Sequence, residues 1–244
     1  KWKYGNDLTA GWHSMIGARY VQVQRIGGQR NFNPETDKGS TTIYGQTVNI
    51  SQPELYSKTG YRFDAKQQLV LLASAYQQKQ AAYYGAVKYD ADQTSMYANL
   101  QYERTWGTQN ALKTGLSYRY FNLSETIDIP VIEGLERTYA GDYLKDESIP
   151  GLFVENTYYW KNEDKIVLIT GVRLDHHNDF GWQFTPRALL KYRLAEKTNV
   201  RLSAGTGWRT ANVFIENINL LASSRDLIFS EKLNPEKAVN YGLT

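Results

Sequence analysis

Cysteine is missing from all 244 residues, which excludes disulfides and thiolate-held metals. Histidine is nearly missing too. His13, His176 and His177 are the only three, so an imidazole-based metal centre or catalytic dyad has little to draw on. No run approaches the roughly 18 apolar residues of a membrane-spanning helix. A wall of transmembrane strands is not excluded by that, because alternating strands average out as polar, and the mean hydropathy is -0.55. An excess of one charge is missing as well: 28 Lys and Arg stand against 25 Asp and Glu, spread along the chain, for a net charge of +3. Such a distribution leaves no nucleic-acid footprint, and nucleic acid is not expected as a partner. The opening KWKYGNDLTAGW lacks the apolar core and small-residue cleavage site of a signal peptide. The closing PEKAVNYGLT stops inside what reads as a strand, and the chain is expected to be a piece of a longer protein.

What the chain has in plenty is aromatic residues, 14% of the total, with 19 tyrosines. It also has alternation. Met96, Ala98, Leu100 and Tyr102 fall on one face of a strand, with Tyr97, Asn99, Gln101 and Glu103 on the other. Leu112, Leu116 and Tyr118 oppose Lys113, Ser117 and Arg119; Leu168 and Val172 oppose Arg173 and Asp175. Phe184, Ala188, Leu190 and Tyr192 oppose Arg187, Lys191 and Arg193, and Leu202, Ala204 and Trp208 oppose Arg201 and Arg209. The period is two, sustained for about ten residues at a time. About ten strands are predicted, near 8–24, 47–62, 67–80, 94–106, 111–123, 151–160, 165–175, 183–194, 199–209 and from 237. Pro186 speaks against a central strand, and a bulge after the preceding turn would accommodate it.

A soluble β-sandwich shares this alternation. Three features point instead to an all-β, antiparallel transmembrane barrel segment. The strands match the roughly 9–11 residues a membrane strand needs, against about 5–6 in soluble proteins. Aromatics such as Trp106, Tyr118, Tyr158, Trp160 and Tyr192 gather near strand ends, as interfacial girdles do. Short polar turns, GTQN, KNED and AEKTN, alternate with longer links at 80–94, 122–149 and 210–236, which are expected outside the cell.

DHHND, residues 175–179, raises the one question of chemistry. As a hairpin tip it is rich in turn formers and closed by Gly181. As a metal site it needs a third ligand, and His13 lies far off in sequence. As an outer-membrane enzyme site it needs a second acidic pair, and no G-x-S-x-G turn occurs for a serine hydrolase. NPETDKGS, near residue 33, loosely resembles an acidic Ca²⁺ loop without EF-hand spacing and reads as an exposed loop.

GVRLDHHNDFGWQFTPRALLKYRLAEKTNVRLSAGTGWRTANVF resembles a segment of TonB-dependent outer-membrane receptors of the ferric-enterobactin and colicin-receptor type. Their pattern G-x-R-x-D-x-H-x-x-F-G-x-x-x-[ST]-P-R is met by Gly171, Arg173, Asp175, His177, Phe180, Gly181, Thr185, Pro186 and Arg187. A following G-[FWY]-[RK] is met by Gly207, Trp208 and Arg209, and a variant of L-x-P-E-x-x-x-N-[YL] by Leu233, Pro235, Glu236, Asn240 and Tyr241. Two further stretches, AGDYLKDESIPGLFVENTYYW and LLASSRDLIFSEKLNPEKA, look most like Bacteroidetes-type receptors.

The resemblance implies a larger, 22-stranded barrel of which residues 1–244 form a part. The plug domain and the C-terminal strands would then lie outside this chain. It implies residence in the outer membrane, contact with its lipid, energy from a TonB complex reached through an N-terminal region, and room for a surface lipoprotein. The cargo would be a ferric siderophore, with cobalamin or another metal chelate as the alternative within the family. An outer-membrane enzyme and a soluble β-sandwich binding module are the alternatives from other classes. No cofactor is expected. Arg119, Arg173, Arg187, Lys191 and Arg201 are expected to face the lumen or the plug, and Tyr83, Tyr84, Arg209, Asn217, Asn219 and Arg225 to touch ligand. Residues 210–236 either contact cargo or fold over the rim and pack on themselves.

Overall fold

In a computed structural model of the chain, which describes residues 2–5, 10–131, 137–160, 165–223 and 225–244, the period-two segments become antiparallel neighbours. The strands are β1 (Trp2–Tyr4), β2 (Gly11–Gly28), β3 (Gly45–Asp64), β4 (Gln67–Tyr84), β5 (Val87–Trp106), β6 (Asn110–Asp128), β7 (Gly141–Tyr159), β8 (Ile166–His177), β9 (Gly181–Ala195), β10 (Thr198–Arg209) and β11 (Glu236–Leu243). A one-turn helix α1 (Val213–Glu216) and a 3-10 turn (Ile218–Leu220) lie between β10 and β11. The eleven strands make one sheet in sequence order, with β1 and β11 at its two edges. About ten were expected; the additional one is the three-residue β1, paired with Ser14–Ile16. The expected strand start at residue 8 and the KNED turn at 161–164 lie outside the described residues.

Alternation gives the sheet two unlike faces. One exposes Ile16, Leu55, Leu71, Met96, Leu100, Leu116, Val172 and Leu202. The other buries Gln93, Asn99, Ser117, Glu147, Asp175, His177 and Gln183. The polar face is the concave one. The guanidinium of Arg119 on β6 lies 5.7 Å from the ring of Trp208 on β10. Four strand spacings of about 4.8 Å would hold those backbones some 19 Å apart in a flat sheet, beyond the reach of both side chains, so the sheet curls around this face.

The apolar face has the height of a bilayer core. On β3 it runs from Pro53 to Phe63. Ten steps of about 3.3 Å give about 33 Å along the strand, or about 25 Å once tilted by about 40°. Trp12, Tyr61, Phe63 and Trp106 sit at the lower margin of this band and Tyr20 and Tyr118 at the upper. Trp12 packs edge-on against Tyr61 at 5.2 Å, and Tyr61 against Phe63 at 5.1 Å. Ser14 and Thr59 bring hydroxyls into the band, and at 2.8 Å they satisfy each other.

Above the band the strands continue as a collar, and two expected loops are corrected there. Residues 80–94 are not a loop: β4 runs to Tyr84 and β5 starts at Val87, joined by Gly85 and Ala86. Gly85 supplies the left-handed backbone (φ 61°) that so tight a turn needs. Residues 122–149 shrink to a link at 129–140, of which 132–136 lie outside the described residues. The collar escaped the sequence reading because polar runs such as Gln77-Gln78-Lys79-Gln80 interrupt the alternation, although beyond them its inner face buries Ala82, Tyr84, Val87, Tyr89 and Ile127. The link from 210 to 236 stands, and 29–44 is a further connection at the same end. The described turns at 65–66, 107–109 and 196–197 are short and lie at the other end.

Three prolines sit inside strands without bulges, each where one ladder fails. The β9–β10 ladder stops at Arg187 paired with Gly205, one residue short of Pro186, while β8–β9 runs through Pro186 and Val172 without a shift. The β7–β8 ladder ends at Gly151, beside Pro150. The β3–β4 ladder skips Gln52 and Pro53. Proline has no N–H to give the neighbour on that side. The expected bulge at Pro186 is therefore replaced by the end of a ladder.

Candidate functional site: the concave wall and its covered mouth

The concave wall is lined with paired charges. Arg173 Nε donates to Asp175 Oδ2 at 2.8 Å, while Nη2 donates to Ser117 Oγ at 2.7 Å and lies in ion-pair contact with Asp175 Oδ1 at 2.8 Å. Arg187 pairs with Glu155, and Lys113 with Glu103 at 2.9 Å. Gly151 makes room for the first of these: a Cβ there would stand 2.0 Å from Asp175 Oδ1. A depression of about 330 Å³ opens between Asn99, Lys113, Glu155, Arg173, Arg187 and Thr206. Of the five cations expected on this face, Arg119, Arg173 and Arg187 are thus placed on it with partners. Lys191 and Arg201 are on it too, directly opposite each other across β9 and β10. Like charges in that register repel.

DHHND is a hairpin tip, but only in part a loop. β8 runs through His177, the tip is Asn178, Asp179 and Phe180, and Gly181 takes the left-handed φ of 65°. His177 is almost fully buried on the concave side. Its Nδ1 accepts from the Asp179 N–H at 3.0 Å, so its proton sits on Nε2, which faces Glu147 Oε1 at 3.4 Å, long for a hydrogen bond. Asn178 pins the tip to β7 through Ser148 N–H and Asp146 C=O, both at 3.0 Å. Among the described residues no three His, Asp or Glu side chains gather as metal ligands.

Trp208 was expected on the apolar face with Leu202 and Ala204, and it is not there. Its ring lies 5.8 Å from that of His177 on the concave side. It lies beyond Gly205, where the pairing of β10 with β9 ends. Next along the chain, Arg209 binds Glu216 with two hydrogen bonds of 2.9 Å and Glu236 with bonds of 2.7 and 3.2 Å. Lys232 lies over the Phe180 ring at 5.2 Å. The three sequence motifs are therefore stitched together at one corner, His177 to Trp208 and Arg209 to Glu236, which accounts for their residues as architecture.

The mouth is covered by the 210–235 segment. Phe214 and Leu221 are buried and join Ala82, Tyr84, Val87, Tyr89, Ile127 and Tyr139 in one apolar cluster. Lys145 on β7 donates to Thr210 Oγ1 at 2.9 Å, Ala211 C=O at 3.0 Å and Asn212 Oδ1 at 2.6 Å. Asp226 accepts from the Thr138 N–H at 2.7 Å, tying the segment to the 129–140 link. The backbone N–H of Asn212, and then Arg209, hold the Glu216 carboxyl below the usual carboxylate range. Among the expected ligand contacts, Tyr84 is buried in this cluster, whereas Tyr83 points to the convex side near Gly39 of the 29–44 connection. Asn217 Nδ2 donates to the Val213 C=O at 2.9 Å, and Arg225 is exposed. The side chain of Asn219 lies outside the described residues. Sequence reasoning missed Lys145 and Glu147, which no motif marks, and it placed Tyr89 in an exposed outer loop, whereas Tyr89 is fully buried in β5 and donates to Glu125 at 2.6 Å.

The family model described as TonB dependent receptor-like, beta-barrel, matches residues 2–244. Among solved structures the chain is similar to the ferric enterobactin receptor PfeA of Pseudomonas aeruginosa, seen as a mutant in complex with enterobactin. The identity is 12%, over 85% of this chain and 41% of that one, with a TM-score of 0.38. It is also similar to the siderophore receptor PirA of Pseudomonas aeruginosa, at 15% identity over 98% of this chain and 53% of that one, with a TM-score of 0.37. The chain spans about half of those chains or less, and scores this low add nothing to the family match. No curated protein matches the chain.

Proposed function

Because the chain belongs to the TonB-dependent receptor-like β-barrel family, whose members are outer-membrane nutrient receptors, we propose that it walls part of a receptor that imports an anionic metal chelate, a ferric siderophore above all. The observation that carries this reading is a pair of facing cations on the concave wall beneath a covered mouth. Lys191 and Arg201 face each other there, and neither has a carboxylate partner among the described residues. Such a pair favours an anion, from the cargo or from a domain seated inside the barrel.

The open sheet supports the rest of this reading. β1 and β11 present unpaired edges, and backbone groups at an open edge cannot be satisfied in hydrocarbon. Further strands from the same protein would close the wall, a plug domain would fill the lumen, and a TonB complex reached through that plug would supply energy. Arg173, Arg187, Lys191 and Arg201 would meet the plug; Arg225, exposed at the mouth, and Asn217 are the first candidates for cargo contact. Tyr84 and Arg209 serve the architecture of the mouth instead.

The test is equilibrium binding to the purified full-length receptor. Saturable binding of a ferric siderophore that weakens with added salt is the expected result, as anion steering requires. Binding of cobalamin with no ferric siderophore bound would move the cargo to the neutral alternative.

A further inference from the structure

Two shallow, open depressions lie on the convex face, away from the wall and mouth described above, and they adjoin. The lower one, about 710 Å³, is lined by Ala18, Tyr20, Pro53, Leu55, Ala75 and Met96. The upper one, about 480 Å³, is lined by Gln22, Asn49, Ser51, Lys79, Asp92 and Ser124. They meet on four strands at residues two apart, and so on one face: Tyr20 and Gln22, Pro53 and Ser51, Gln77 and Lys79, Thr94 and Asp92. The seam falls at the gap in the β3–β4 ladder around Gln52 and Pro53. It also falls at the top of the apolar band, where Tyr20 marks the interface. Below the seam the groove offers hydrocarbon; above it, amides and hydroxyls.

We propose that this is a single binding groove for one glycolipid of the outer leaflet, with an acyl chain in the lower half and the sugar head group in the upper. The proposal rests on the reading that the convex face meets lipid. The head group follows from the charges. Lys79 is the sole cation among the residues lining the upper half, and Asp92 holds it at 3.7 Å while also accepting from Gln77 at 3.1 Å. Asp90, on the same rim, is paired with Lys88 at 2.6 Å. A phosphate head group would find no spare positive charge and two carboxylates. A hydroxyl-rich sugar finds donors and acceptors at Gln22, Asn49, Ser51 and Ser124, which match its own dual character.

The experiment is native mass spectrometry of the purified full-length receptor with an equimolar mixture of a glycosyl diacylglycerol and phosphatidylglycerol of identical acyl chains. The glycolipid adduct should exceed the phosphatidylglycerol adduct about tenfold, a difference of about 1.4 kcal/mol. Ser51→Trp and Ala75→Trp, which fill the two halves from outside, should each abolish that preference while the phosphatidylglycerol signal stays. Equal retention of both lipids by the unaltered protein overturns the proposal without recourse to any variant. So does a preference that survives both substitutions. A nitroxide on Leu116→Cys separates the two layers of the argument. If it reads water, the orientation and the groove fall together; if it reads lipid while no glycolipid preference is found, the groove alone falls.

Discussion

Gly151 has no room for a methyl group. Its added Cβ would lie 2.0 Å from Asp175 Oδ1 and 3.1 Å from Arg173 Nη2, in the middle of a buried ion pair. Gly151→Ala should therefore cost about 1–3 kcal/mol of unfolding free energy in lipid. Gly207→Ala, with nothing within 4 Å, should cost much less. Equal losses by denaturant titration would show that the pair does not need that space. On the other face, Leu202 is 47% exposed in the middle of the apolar band. Leu202→Arg should cost about 2–4 kcal/mol there, whereas Ser203→Asn on the concave side should be mild; equal tolerance at both would contradict the assignment of faces. Residues in this band were legible because lipid and lumen impose opposite chemistry on successive positions. Trp208 was not legible, since nothing in the local alternation announces that its ring turns to the concave side.

At the scale of elements, the 210–235 segment is held by a buried ring, a lysine clamp and a carboxylate. Phe214 is 3% exposed and packs 4.6 Å from the Tyr143 ring. Phe214→Ala should remove about 3–5 kcal/mol of local stability, read as faster proteolysis within 210–235 while the strands resist. Unchanged cleavage would mean that the ring does not anchor the segment. The carboxylate gives a pH dependence. The backbone N–H of Thr138 holds Asp226 below its usual carboxylate range, with a further N–H from Leu227. A depressed folded value means that the tether contributes fully above the unfolded value and is lost as pH falls through the folded one. Exchange of the Thr138 amide, corrected for its intrinsic rate, should be flat from neutral pH down to about 4 and rise only below; a rise near pH 6 would point to another group. The sequence offered both readings of this segment, cargo contact and packing over the rim. The structure shows the packing, which sequence could not decide because Phe214 and Leu221 have no periodic neighbours to mark them as core.

At the scale of the molecule, the chain is an antiparallel segment of an outer-membrane β-barrel, curled about a charged interior with one apolar band outside. The approximate count of strands and their order were legible, because each follows from a period of two broken by polar turns; of the three long connections expected, only 210–236 stands at its expected length. The collar above the membrane was not, because its inner face mixes polar Gln80, Gln93 and Glu125 with apolar Tyr84, Tyr89 and Ile127, and polar runs such as 77–80 break the period. The motifs announced the family before the fold was seen, yet their side chains turned out to tie β8, β10 and β11 together rather than to carry chemistry. The central claim, that one curved sheet separates lipid from lumen, is tested most directly by nitroxide scanning of β10 from Val200 to Ala204 in the full-length protein in bilayers. Oxygen accessibility should peak at Val200, Leu202 and Ala204, with Arg201 and Ser203 low in oxygen and screened from lipid. A scan without that alternation, or one with its phase reversed, would contradict the account.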